Sequence, residues 1–500
     1  KDFEEGHLLA GLGVPDISAR VGKPFYFTSE LDFNRESSNE FSIDVVQLVD
    51  NRGEIPVEIQ GPPNKLFDDP PYITIPMTIT VADDRESIAI DVSGQSFEMR
   101  PGEWSDWVDF EFPFSSLVSV HGISRFHLIS VRPEIKLYLS PINLDPRSLP
   151  PGVRVTTPED WAPELAGEFG RYKTIGWGID TWAISEGFAD EQMFWDDLEW
   201  TVEQYREMFT AFLEGESDLL LQCFEFPDRV AHVFFRLHDP EHPAFDPELA
   251  AEWDGAILSA YQLMDEIVGE AMAAAEKHDA ELIVLSDHGF STWRKSVNYN
   301  TWLAENGYLG LKAGVEAKER NLEILFDHGE FWENVDWSTT RAYALGLGDI
   351  YVNLEGREAQ GIVKPGEEYE RLKLELKEKL EAMVDPENGR RPVSRVFTRE
   401  EAYREFDPNL IPDLIVSNSE GYRVSWQTSL GGVQKEVFEE NPNVWSGDHC
   451  SLDPEIVKGI FFYNGKLESE REPYIADIYP TVLGFFDVPP PYELDGERLE

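Results

Sequence analysis

Cysteine is nearly absent: Cys223 and Cys450 are the only two in 500 residues, which excludes a disulfide framework. Long apolar runs are missing as well. No stretch approaches the roughly 18 apolar residues that would span a bilayer, and no positive-then-apolar segment of the secretory kind opens the sequence. Positive charge is scarce: 42 Lys and Arg stand against 96 Asp and Glu, a formal net charge of −54. That balance argues against recognition of a nucleic-acid duplex, which needs basic stripes. Internal repeats and low-complexity tracts are lacking too.

What is present is ample core material, 41% hydrophobic with 12% aromatic, enough for two to four domains at this length. The acidic charge is spread among Trp, Phe and Ile and not gathered into a tail, so it does not read as disorder. Adaptation to high salt is the expected reading, because a Debye length of about 3 Å at molar ionic strength screens the self-repulsion. A cytoplasmic location is expected; because the sequence opens on Lys1 and not Met, secretion stays compatible with it. Cys223 and Cys450 each fall near a candidate ligand in sequence and are expected to be small buried thiols.

Along the chain, residues 1–20 (with G-L-G-V-P-D) read as the tail of a segment begun earlier. From 21 to 145 the pattern is β-rich, with strands expected at 41–48, 72–81, 87–92, 107–112, 125–131 and 134–139, separated by Gly, Pro, Asn and Asp. This predicts a compact antiparallel sandwich. P-R-S-L-P-P-G at 146–152 reads as a linker. From 150 to 500 strands alternate with helices: helical spacing at 190–213, 247–278 and 368–384, strands at 218–226, 280–286, 349–354, 412–417 and 457–463. The expected fold class is therefore α/β, a mostly parallel sheet covered by helices, with a β-sandwich-like inserted domain.

Three separated clusters carry chemistry. Asp228 and His232 stand four apart in F-P-D-R-V-A-H-V-F, one face of a helical turn. Asp287 and His288 close the apolar run E-L-I-V-L-S-D-H-G-F, where Gly289 permits the strand to break into a turn. His449 sits in S-G-D-H-C. In α/β sheets such groups collect at the carboxyl ends of strands, and carboxylates mixed with imidazoles suit two divalent ions held close together. Asp327-His328-Gly329 repeats the triplet but precedes a polar-aromatic segment and reads as a surface turn. His238 and His242, in the Pro-containing L-H-D-P-E-H-P, are expected to be exposed or to lie behind the ligands. Trp104 and Trp107 invite either sugar stacking or, preferably, core packing.

The stretch from about 150 onward resembles the alkaline phosphatase superfamily, specifically its type I phosphodiesterase/nucleotide pyrophosphatase branch. The matching text is D-R-V-A-H-V-F-F-R at 228–236, S-D-H-G-F at 286–290, N-Y-N-T-W-L-A-E-N-G-Y-L at 298–309, G-D-H at 447–449 and D-I-Y-P-T-V-L-G-F-F-D-V-P at 477–489. The resemblance implies that Asp228, His232 and His449 hold one metal ion and Asp287 and His288 a second. Zinc is the usual pair, with manganese or iron as alternatives. It implies hydrolysis of phosphodiester or pyrophosphate bonds in a small phosphate-ester substrate through a covalent phospho-enzyme. It also places the Thr or Ser nucleophile and a further Asp ligand on a segment expected upstream of residue 1; Ser18, the only nearby hydroxyl, does not match. Phosphomonoesterase, phosphonate hydrolase, sulfatase and phosphoglycerate mutase share the ligands and stay open. So does a non-catalytic metal- or carbohydrate-binding role, with the sandwich restricting substrate size or mediating oligomerisation.

Overall fold

The alternation in Y-I-T-I-P-M-T-I-T-V becomes burial: Ile73, Ile75, Met77 and Ile79 face a core while Tyr72, Thr74 and Pro76 face water, as a strand with one solvated side requires. The computed structural model describes residues 6–11, 24–31, 43–49, 53–64, 67, 71–115, 118–313, 332, 334–467 and 471–499. Asp327, His328 and Gly329 lie outside the described residues, as do Ser18 and the start of the strand expected at 41–48. The chain divides into two units, Lys1–Arg229 and Val230–Glu500.

In the first unit, strands Glu54–Pro63, Tyr72–Val81, Ile88–Val92 and Gln95–Met99 form an antiparallel meander. A second sheet runs in the order Phe126–Ser130, Lys136–Leu139, Phe25–Thr28, Asp44–Gln47, its last pair parallel. A third joins Asn143–Leu144, Ser119–Ser124 and Val108–Pro113. Phe25, Ile55, Ile79, Phe110, Phe126 and Leu137 share one core among them. Trp104 and Trp107 are half-buried and packed, Trp104 against His127 and Trp107 edge-on to Trp200. Helix α1 (Glu191–Leu213) opens on Asp190, whose side chain accepts the Met193 N–H. The expected strand at 218–226 is absent. Residues 218–225 pair with no strand among the described residues, Leu219 and Leu221 are exposed, and helix α2 (Phe226–His238) begins where the strand was to end.

The second unit continues α2 and then breaks the helix expected at 247–278 into Pro247–Trp253 and α3 (Ala256–His278), with Gly255 at the junction. Strand β1 (Ile283–Leu285) leads into the Asp287-His288 turn. Strand β2 (Ser291–Val297) is paired in parallel with β3 (Gly421–Val424) and antiparallel with β4 (Phe438–Glu440) and β5 (Gly447–Asp448). Strand β6 (Phe461–Tyr463) pairs antiparallel with β1. A further antiparallel sheet orders Ala342–Leu345, Asp349–Val352, Leu414–Asn418 and Val393–Thr398, and the helix Glu367–Glu381 buries Leu372, Leu376 and Leu380 in the same core.

The architecture is mixed α/β with several sheets. Over 150–500, where the sequence predicts mostly parallel pairing, the strand pairs among the described residues are antiparallel except for β2 with β3, and the sandwich expected as antiparallel at 21–145 contains one parallel pair. The physical reason is that an apolar run reports burial and carries no sign of the direction of its neighbour. No helix among the described residues is long and apolar enough to cross a membrane.

Candidate metal centre

Helix α2 presents Asp228 in its first turn, where a carboxylate also meets the positive end of the helix dipole. His232 follows one turn later and is buried. The division of the chain falls inside α2, so one continuous helix holds both residues. Asp228 accepts a hydrogen bond from Arg229 Nη1 at 2.7 Å, and that guanidinium lies 3.6 Å over the Trp177 ring.

Two further segments carry the other candidates. Beyond β1, the turn at Asp287-His288-Gly289 is fixed by the Gly289 N–H donating to the Val457 carbonyl at 2.7 Å. His288 Nδ1 donates to the Gly289 carbonyl at 3.0 Å, which leaves Nε2 as the ligating atom. β5 then delivers His449, whose ring stacks on that of His288 with centroids 3.5 Å apart and an 8° tilt. One donor atom from each of Asp228, His288 and His449 lies within 4.8 Å of the others.

The remaining two candidates border this cluster. His232 donates from Nδ1 to the Gly447 carbonyl at 2.7 Å, its ring stacks on Trp445 at 3.7 Å, and it lies 5.4 Å from the His449 ring. Asp287 is 81% exposed beside His288, with 3.3 Å between its Oδ2 and His288 Nε2. His238 is exposed and paired with Asp254. His242 is buried behind β2, donating to the Trp293 carbonyl. Neither belongs to the cluster. Cys223 is exposed, contrary to expectation, because residues 218–225 lie in no sheet; Cys450 is partly buried.

Electrostatics favour the neutral form of the His449 imidazole. Burial, and then the neighbouring His288, push His449 down to about 4, so it stays neutral with its lone pair available at ordinary pH. Burial alone would raise the Asp448 carboxyl, but Arg423 and His232 outweigh that and hold it below its usual range. Burial pushes the Cys450 thiol up to about 12, so without a metal ion it keeps its proton at neutral pH. The donor set fits a borderline divalent ion such as zinc, whose bonds to N and O run about 2.0–2.2 Å.

Sequence reasoning passed over four residues that shape this centre. Phe290 packs edge-on against His232, and Trp445 and Asp448 stand within a few residues of His449. Their signal was an indole and a carboxylate crowded into N-V-W-S-G-D-H-C. Arg423 had only the oddity of a cation inside G-Y-R-V.

A family model described as Type I phosphodiesterase / nucleotide pyrophosphatase matches residues 149–441, more than half of the chain. The match takes in Asp228, His232, Asp287 and His288 and ends ahead of His449. No curated protein and no solved structure matches.

Proposed function

The chain belongs to the type I phosphodiesterase / nucleotide pyrophosphatase family, and from that membership we propose a divalent-metal-dependent hydrolase of phosphodiester or pyrophosphate bonds, built on an alkaline-phosphatase-like fold. The observation that carries the reading is that Asp228, His288 and His449, drawn from three separated stretches, come within reach of one another. His232 and Asp287 complete a set for two ions, Asp228, His232 and His449 on one side and Asp287 and His288 on the other. Ions about 4 Å apart would require such nearness between the two sets. Zinc suits the donors best, with manganese or iron as alternatives. When bound, the ions supply charge stabilisation at the phosphoryl oxygens.

The chain's own residues do the rest. Carbonyl acceptors at Gly447 and Gly289 hold the Nδ1 protons of His232 and His288 away from the ligand side. Phe290 and Trp445 flank the His232 imidazole with apolar ring surface. A Thr or Ser hydroxyl, the nucleophile that the family resemblance implies, would attack phosphorus in line. Its new P–O bond forms as the bond to the leaving oxygen breaks, and water then cleaves the ester. The substrate is a small phosphate ester.

Zinc content and hydrolysis test this on the full-length product of the gene. The wild-type protein is expected to retain zinc, to prefer bis-p-nitrophenyl phosphate over p-nitrophenyl phosphate, and to lose activity to a chelator. Asp228→Ala, His288→Ala and His449→Ala are each expected to strip the metal. Equal metal content in all four proteins, or hydrolysis indifferent to chelation, would sink the proposal.

A further inference from the structure

Asp448 and Arg423 form a buried ion pair, 2.8 Å between Arg423 Nε and Asp448 Oδ2 and each side chain 1% exposed. Such pairs are poor devices for stability, because desolvation cancels most of the attraction. This one is not even saturated: neither Arg423 Nε, in ionic contact with Asp448, nor Nη2 makes a hydrogen bond among the described residues. What the pair does have is a set of contacts aimed at the imidazoles.

Asp448 Oδ1 accepts the backbone N–H groups of His449 at 2.8 Å and Cys450 at 2.7 Å, so the carboxylate folds over the turn and fixes the backbone from which His449 projects. Its Oδ2 accepts from Trp445 Nε1 at 3.1 Å, and the Trp445 ring is the plate against which His232 stacks. One carboxylate thus touches the supports of two imidazoles. Arg423 in turn holds the carboxylate. Its guanidinium carbon lies 4.5 Å from the centre of the Trp293 ring and 4.1 Å from that of Trp426, and its Nη1 donates to the Val424 carbonyl. β3, which carries Arg423, and β5, which carries Asp448, both pair with β2. Anchor and carboxylate are therefore fixed to one strand.

We propose that Asp448, clamped by Arg423, is a positioning residue that sets the orientation of His449 and, through Trp445, of His232. The proposal rests on the metal-centre reading of the preceding section. Removing the charge while keeping the shape should leave a folded protein whose imidazoles are no longer held in register. Outer groups of this kind typically change metal affinity by about 10–100-fold.

The test uses Asp448→Asn and the charge-free double variant Arg423→Met/Asp448→Asn, titrated with zinc against a chromophoric chelator and with cobalt(II) as a spectroscopic probe. Asp448→Asn is expected to bind zinc about 10–100-fold more weakly and to change the shape of the cobalt d–d bands, which report ligand geometry. The double variant, free of a lone buried charge, is expected to regain melting temperature without regaining affinity. Unchanged affinity and bands in Asp448→Asn would overturn positioning while leaving the metal centre intact. Recovery of affinity together with melting temperature in the double variant would reduce the pair to a structural role and also overturn it. A wild-type protein that binds neither metal would overturn the metal-centre reading itself.

Discussion

Replacing Gly447 by alanine adds one carbon where helix α2 already stands. A Cβ at that position would lie 2.4 Å from the Ala231 carbonyl oxygen and 2.5 Å from the Phe235 ring. The carbonyl is backbone inside a buried helix and cannot swing aside, so β5 and α2 must separate until that contact exceeds 3.0 Å, the floor for real Cβ atoms. Overpacking of this kind costs roughly 1–3 kcal/mol. In a unit of this size each kcal/mol lowers the melting temperature by about 2–4 °C, so the loss should be several degrees. The same movement stretches the 2.7 Å hydrogen bond from His232 Nδ1 to the Gly447 carbonyl. Loss of such an outer contact weakens metal binding by about 10–100-fold, or roughly 1.4–2.7 kcal/mol. Differential scanning fluorimetry and a zinc competition titration read both effects. Gly269→Ala is the control, since a Cβ there meets nothing within 4 Å and alanine favours the helix interior by about 0.5–1 kcal/mol. If Gly447→Ala melts and binds zinc as the wild type does, the close approach of β5 to α2 is not what sets the site.

Two further predictions concern pH and salt. His127 is buried against Trp104, and burial pushes it down to about 4 although Asp190, Asp196 and Asp197 pull upward and Arg125 adds to the depression. Between its usual value near 6.5 and about 4, the unfolded chain takes up the proton before the folded one does. Stability of the β-rich unit should therefore fall as pH drops through that window and level off below it, by a total on the order of 3 kcal/mol. His127→Gln should flatten the slope in urea titrations across the window, and identical slopes would remove His127 from the account. The net charge of −54 predicts that melting rises strongly between about 0.1 M and 3 M KCl as screening shortens the reach of repulsion; a flat response would count against salt adaptation.

The long amphipathic elements were legible because burial in them has a period: α1, the helix Glu367–Glu381 and the strand Tyr72–Val81 all lie where the sequence places them. The strand Glu54–Pro63 was missed, since E-I-P-V-E-I-Q-G-P-P carries the Pro and Gly that normally argue for a loop. The expected strand at 218–226 failed for the opposite reason. Its leucines look like sheet, but a strand exists only where a neighbour completes its hydrogen bonds. In the centre, donor types and spacing singled out Asp228, His232, Asp287, His288 and His449, of which Asp228, His288 and His449 place donor atoms within 4.8 Å of one another. Spacing could not tell that His288 stacks on His449, because that contact is made between segments far apart in sequence. Arg423 and Trp445 were illegible for the same reason: what they touch depends on the pairing of β3 and β5 with β2.

The scarcity of cysteine has a practical side. Cys223 is exposed, whereas Cys450 is partly covered and its thiol holds its proton up to about 12. Alkylating reagents and peroxide attack the thiolate, so near neutral pH they should discriminate sharply between the two. The turn that carries His449 is thereby chemically quiet toward oxidants. A maleimide dye would settle on Cys223, five residues ahead of Asp228, giving the molecule a built-in attachment point from which ligand-induced changes at the start of α2 can be watched by fluorescence.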